Sequence, residues 1–303
     1  TRFLMKHQIL IIGGGNAGLS TASKLLLKNR NLDIAIIEPS DKHYYQPAWT
    51  LVGGGTYDIA DTVRDGADFI PKGSTWIKDS VASFQPEQNT VTTAGGQVIG
   101  YQYLIVCPGI QLNWNQIEGL AETLGKNGVC SNYSFQLAPY TFECLENLHS
   151  GTAIFTAPGT AVKCGGAPQK IMYLAGDYLR RHGLTDQVNV EFCTAGGVIF
   201  GIEKYAKTLR KVAERYRIGL HFKHDLIRVD GDKKQATFKV TAPDGAVSEV
   251  TKAFDMLHVT PPQSAPDFVR NSPLANENGW VDVDKFTLQH KKYPNVFSLG
   301  DAS

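Results

Sequence analysis

Cys164 stands in residues 151–170, GTAIFTAPGTAVKCGGAPQK, at a point where a strand gives way to a helix. A thiol so placed has a chemistry of its own. The partial positive charge of a helix N-terminus, with Lys163 adjacent, lowers a thiol pKa and favours the nucleophilic thiolate. A buried structural cysteine is the other reading, because free Cys is among the most buried residue types, and this stretch alone leaves both open. A second set of residues points to a ligand instead: Gly13, Gly15 and Gly18 of GGGNAG, followed by Glu38 about 20 residues on. Gly13 suits a tight turn, Gly15 lets main chain approach a pyrophosphate, Gly18 lets a helix pack closely, and a carboxylate at Glu38 bonds ribose hydroxyls.

The elements that must position these groups follow from hydrophobic spacing. Residues 7–12 (HQILII) are an apolar run of strand length, 19–28 a helical run, and 32–37 a second buried strand ending at Glu38. Strand, glycine turn, helix, strand and acid in that order predict a dinucleotide-binding unit. Residues 39–55 (PSDKHYYQPAWTLVGGG) read as a loop able to cover a flat ring. Within it Tyr44, Tyr45 and Trp49 read as packing residues and Gln46 as a polar contact to a bound cofactor. Residues 76–84 and Thr90–Thr93 predict two strands of a small antiparallel unit, and 103–106 (YLIV) a further buried strand. Around Cys164, residues 152–157 predict a buried strand and 168–181 a helix with Ile171, Leu174, Tyr178 and Leu179 near one face.

Length and composition narrow the classes. A chain of 303 residues has room for two domains. Lys plus Arg number 30 against 29 for Asp plus Glu, a net charge of +1 with no basic stripe, which excludes nucleic-acid binding. Five cysteines at irregular spacing, with no CxxC and no Cys/His ligand pattern, argue against a disulfide scaffold and against a metal site, and suit a reducing compartment. No apolar stretch approaches the ~18 residues of a spanning helix. The first residues pass quickly into a buried strand, so no signal or transit peptide is read. Cys107, Cys144 and Cys193 read as core, and His258 as a structural histidine.

GGGNAG with Glu38, the YLIVCPG strand and the late YPNVFSLGDAS together resemble the two-dinucleotide-domain flavoproteins related to glutathione reductase. The fold class this implies is α/β, with two Rossmann-like dinucleotide-binding domains. The first, residues 1–115 and 272–303, would bind FAD and would be interrupted by the second, 116–271. The resemblance implies Gly13, Gly15, Asn16, Ala17 and Glu38 at the ADP moiety, main chain at Val81 near the adenine, and Asp301 at the ribityl chain, where the plain alternative for Asp301 is a helix cap.

Reductases of that group carry a second GxGxxG where this chain has PGTAVKCGGAP, so the second domain lacks a working NAD(P) fingerprint. HYYQPAWTLVGGG, GIQL, SNYS, VKCGGAPQKIMYL, IFGIEKYA, MLHVTPP, GWVDVDKFTLQH and YPNVFSLGD are similar to the sulfide:quinone oxidoreductase family, both mitochondrial-type and bacterial. That resemblance implies oxidation of hydrogen sulfide at Cys164, which would hold sulfur as a persulfide. Electrons would pass through FAD to a quinone, and the sulfur to a small acceptor such as sulfite, glutathione or cyanide. Cys130 falls where some members carry a cysteine that links to the flavin or assists sulfur handling, with loop packing as the alternative. The family further implies, beyond Ser303, a second redox cysteine, a quinone pocket and segments that dock on a bacterial or mitochondrial inner membrane as a peripheral protein. The rival readings are a type II NADH:quinone dehydrogenase and a non-catalytic flavin-binding fragment.

Overall fold

The computed structural model describes residues 5–303. Two compact units divide them: residues up to Tyr44 with Val63–Gln111 and Ser264–Ser303 form one, and Tyr45–Thr62 with Leu112–Gln263 the other.

In the first unit, the strand Met5–Ile12 pairs in parallel with Ile34–Ile37 on one side and Val98–Val106 on the other. Ser74–Ile77 extends the sheet beyond Ile34–Ile37, and Val296–Ser298 lies along the end of Val98–Val106. Numbered along the chain, the parallel strands thus lie in the order 3-2-1-4-5, a Rossmann-like arrangement. Strands buried on both faces must be apolar throughout, and all four residues of IAII are buried. The helix Asn16–Lys28 supplies Leu19, Ala22 and Leu26 to one face, against Ile9, Ile11, Ile34 and Ile36. The alternate residues Leu10, Ile12, Ala35 and Ile37 face a second layer that includes Val269, Leu274 and Val281.

The single strand expected over residues 76–84 is two. Ser74–Ile77 is the edge of the parallel sheet, while Val81–Gln85 forms an antiparallel ladder with Thr90–Thr93. Between them, the Asp79 carboxylate accepts from the Ser80 and Gly95 N–H groups at 2.8 and 3.1 Å, which turns the chain.

The aromatic stretch 39–55 also differs from a plain loop. Lys42–Tyr44 pairs with Val63–Asp65 as a two-stranded stem in the first unit, and the chain between them, Tyr45–Thr62, belongs to the second unit and contains the short helix Trp49–Gly53. The observed divisions at Gln111 and Ser264 accordingly differ from a single insertion over 116–271.

The second unit holds a five-stranded parallel sheet, ordered Val129–Cys130, Met256–His258, Gly151–Ala157, Val188–Thr194 and Ile218–Phe222. A three-stranded antiparallel sheet, His224–Asp230, Gln235–Thr241 and Val247–Ala253, accompanies it. The helix Ala167–Arg181 buries Ile171, Met172, Ala175 and Leu179. Leu174 and Tyr178, expected on that face, sit at its margin, Leu174 against Gly54 and Tyr178 edge-on to Phe142 at 5.8 Å.

Candidate functional site

The glycine turn of the first unit is shaped by contacts that no side chain would allow. Gly13 has φ +99°, and a Cβ there would lie 2.1 Å from the Cys107 carbonyl oxygen. At Gly18 a Cβ would lie 2.0 Å from the Gly13 oxygen, so the helix seats on the turn only without one. Gly15 is the contrast: it is exposed, and nothing stands within 4 Å of where its Cβ would be. It is also the N-cap of Asn16–Lys28, with no side-chain cap and no acidic residue in the first turn. Helix N–H donors therefore open onto free space, the arrangement that receives a phosphate.

Glu38 braces this turn. Its Oε2 accepts from the Gly14 N–H and its Oε1 from the Ser40 N–H, each at 2.7 Å. A carboxylate offers about four acceptor sites, so capacity remains for hydroxyl donors. The Gly300–Asp301 turn comes to the same helix end: a Cβ at Gly300 would lie 3.1 Å from the Ala17 Cβ. Ser298 Oγ donates to the Val106 carbonyl at 2.6 Å, and the Val281 N–H to the Ala302 carbonyl at 2.9 Å, which fix that turn from both sides. Asp301 is half-buried there.

In the second unit Cys164 is exposed, in the loop between Gly151–Ala157 and Ala167–Arg181. Its φ of +57° is left-handed, a conformation that costs a side-chain-bearing residue about 1 kcal/mol or more. The loop holds it there by bonds on either side. Ahead of the thiol, the Lys163 N–H donates to Gln263 Oε1 at 2.8 Å, the Tyr133 hydroxyl donates to the Lys163 carbonyl at 3.1 Å, and the Gln263 N–H donates to Thr160 Oγ1 at 3.0 Å. Behind it, the Ala167 N–H closes on the Cys164 carbonyl at 2.8 Å. Gly165 and Gly166 have nothing within 4 Å of their Cβ positions, so the loop is open directly after the exposed thiol.

Burial, with Cys164 nearby, pushes the Tyr133 phenol well above its ordinary value and keeps it a neutral donor. Tyr133 and Gln263 carry no signal of their own in the sequence. Tyr133 lies inside SNYS and Gln263 directly after the paired prolines of MLHVTPP, and only the fold brings them to the thiol loop.

The pyridine nucleotide-disulphide oxidoreductase family matches residues 7–142. The mitochondrial sulfide:quinone oxidoreductase of Dictyostelium discoideum is 52% identical over 299 residues, 98% of this chain and 65% of that protein. That of Schizosaccharomyces pombe is 35% identical, over 98% of this chain and 68% of its own length. This chain belongs to the sulfide:quinone oxidoreductase family. It spans about two thirds of the length of these relatives. The crystal structure of the Aquifex aeolicus sulfide:quinone oxidoreductase superposes with a TM-score of 0.83 at 22% identity, over 98% of this chain and 68% of that one, a likeness of fold.

Gln46 is half-buried and lies on Tyr45–Thr62, so it is carried by the same unit as Cys164. Val81 is buried at the start of its strand, opposite Thr93. Cys130, for which a sulfur-handling role and packing are the two readings, is a core residue. It lies in a strand rather than a loop, is fully buried, and its Sγ donates to the Leu257 carbonyl at 3.5 Å, so its thiol does not open to solvent. Cys144, expected in the core, is only half-buried. Cys107 and Cys193 are core residues whose thiols burial pushes up to about 12. Among the described residues no His/Cys/Asp/Glu group is arranged to hold a metal, and no helix is long and apolar enough to cross a membrane.

Proposed function

We propose that this chain carries the sulfide-oxidising centre of a sulfide:quinone oxidoreductase, in which hydrogen sulfide is oxidised to sulfane sulfur at Cys164 and the electrons reach a quinone by way of FAD. The observation that carries this reading is the exposed Cys164 thiol, held at φ +57° by a loop bonded on both sides, in place of a second phosphate-binding fingerprint. A site that spends conformational energy to present one thiol is suited to using it.

The first unit fits an FAD. The open space at Gly15 and the bare N-terminus of Asn16–Lys28 suit its pyrophosphate, beside Gly13, Asn16 and Ala17. Glu38 would bond the ribose, Val81 main chain the adenine, and Asp301 the ribityl chain. FAD, when bound, supplies a two-electron acceptor. The chain's own part is to hold the sulfur. Cys164 Sγ would carry it as a persulfide, while the neutral Tyr133 hydroxyl and the Gln263 amide keep the Lys163 peptide fixed next to it. A small nucleophile such as sulfite, glutathione or cyanide would then take the sulfur, and the whole protein would work at the surface of the mitochondrial inner membrane.

The test is an anaerobic titration of the full-length protein with sulfide, following the oxidised-flavin absorbance. Sulfide is expected to bleach the wild type, Cys164→Ser to lose at least about a hundredfold in rate while keeping its FAD, and NADH to have no effect. Bleaching by NADH and not by sulfide would make the chain a nicotinamide-dependent dehydrogenase and Cys164 a structural residue.

A further inference from the structure

Two further sulfurs lie at the other end of the parallel sheet that carries Cys164. Cys164 follows the C-terminal end of Gly151–Ala157, whereas Gly128, Ser150 and Asp255 immediately precede the strands Val129–Cys130, Gly151–Ala157 and Met256–His258. These three residues help line a cavity of about 440 Å³, and Cys144 forms part of its wall from the helix Ala138–Glu146. Cys130 sits behind Cys144, fully buried in the core cluster against which Cys144 packs. The Tyr140 hydroxyl accepts from the Gly128 N–H at 3.0 Å, and Tyr140 lines the same cavity as Cys144. One sulfur thus faces an open cavity and its neighbour backs it from the core. The rim carries both signs of charge, Lys234 against Glu143 and Asp255, all exposed. That combination suits a ligand bearing carboxylate and ammonium groups together.

We propose that Cys144 is a thiol–disulfide exchange site for small zwitterionic disulfides, with Cys130 as the resolving thiol that closes a Cys130–Cys144 bridge. In the first step the Cys144 thiolate attacks one sulfur of RS–SR; the Cys144–S–SR bond forms, the S–S bond breaks and RS⁻ leaves. In the second, the Cys130 sulfur attacks the Cys144 sulfur, the mixed disulfide breaks, and the Cys130 proton goes to the departing RS⁻. Two protein thiols are oxidised to one cystine and the small disulfide is reduced to two RSH, so no further oxidant is needed. The environments favour this division of roles: burial keeps the Cys130 thiol well above its ordinary pKa, while the neighbouring Cys130 holds the Cys144 thiol below its own.

The experiment treats the reduced full-length protein with glutathione disulfide, quenches with acid, alkylates the remaining thiols and maps the peptides by mass spectrometry. A Cys164→Ser background keeps the exposed thiol out of the exchange, so that failure here is separate from failure of the sulfide reading. Cys130 and Cys144 are expected to lose alkylation together and to appear as a bridge, with two equivalents of reduced glutathione released. Cys130→Ala is expected to stop at a glutathione adduct on Cys144, and Cys144→Ser to leave Cys130 reduced. Full alkylation of Cys144 after treatment overturns the site. An adduct that persists on Cys144 while Cys130 remains alkylated overturns the resolving role, and this outcome is read in the protein without a substitution at Cys130.

Discussion

Glu38 shows how one carboxylate serves structure and ligand at once. Both of its oxygens are already engaged by main-chain donors, Gly14 and Ser40, so the acid that would meet a ribose also holds the glycine turn in place. Glu38→Gln keeps one acceptor oxygen and turns an NH₂ toward the other N–H, leaving a donor facing a donor. The expected outcome is a loss of about 1–3 kcal/mol in stability together with a lower flavin-to-protein absorbance ratio. If the thermal midpoint of the FAD-stripped protein is unchanged by the substitution, the brace carries no weight and Glu38 serves the ligand alone. Spacing was enough to single out Glu38 as a ribose acid, because the distance from a glycine turn to the end of the next strand is set by the length of one helix and one strand. Its bond to Gly14 was not legible, since the middle glycine of the motif has no role in the fingerprint. Tyr133 was missed for a related reason: a phenol reads as packing until the fold puts its hydroxyl on the Lys163 carbonyl.

At the scale of elements, periodicity was a sound guide wherever a segment is buried on one stripe or on both faces, as for Met5–Ile12, Asn16–Lys28 and Ala167–Arg181. It failed over Tyr45–Thr62. Trp49 and Val52 bury one side of a helix only five residues long, too short to show a period, and the glycines at its C-terminal end read as loop. Those glycines are there for close approach: a Cβ at Gly53 would lie 2.1 Å from Asn132 Oδ1, and one at Gly54 would lie 2.8 Å from Leu174 Cδ1. The same logic gives a sharper test at the glycine turn. Gly18→Ala would drive a methyl into the Gly13 carbonyl, a main-chain atom that cannot rotate away, so Asn16–Lys28 must lift off the turn. The cost is expected to be about 1–3 kcal/mol. Because the helix N-terminus moves with it, the flavin content should fall further than the thermal midpoint alone would explain. Ser20→Ala, exposed on the same helix, is the control that should change neither.

For the molecule as a whole, a net charge of +1 leaves little overall repulsion at neutral pH, so its response to mild acid has to come from individual groups. The strongest of these is His258 in the second unit. It is fully buried, its Nε2 accepts from the Asn132 N–H at 3.0 Å, and burial lowers its pKa to about 3. In the unfolded chain the same imidazole takes up a proton near 6.5. Between those two values the unfolded state binds one more proton than the folded state, so stability is lost as pH falls from about 6.5 and the loss is complete only near 3. The slope from one such group is about 1.4 kcal/mol per pH unit. His221 is lowered by burial as well and acts in the same sense, but it is partly exposed and its share is screened. Carboxylates held low act only as pH falls through their unfolded values of about 4, at the lower end of this range; Glu191, where burial is outweighed by the Lys252 partner, is one of them. His258→Gln preserves an acceptor for the Asn132 N–H and removes the titration. Hydrogen-exchange protection of Gly151–Ala157 and Met256–His258 should therefore decline, after correction for intrinsic exchange, between pH 6.5 and 5 in the wild type and markedly less in the variant. Equal declines would mean that His258 is not the group through which the second unit responds to acid.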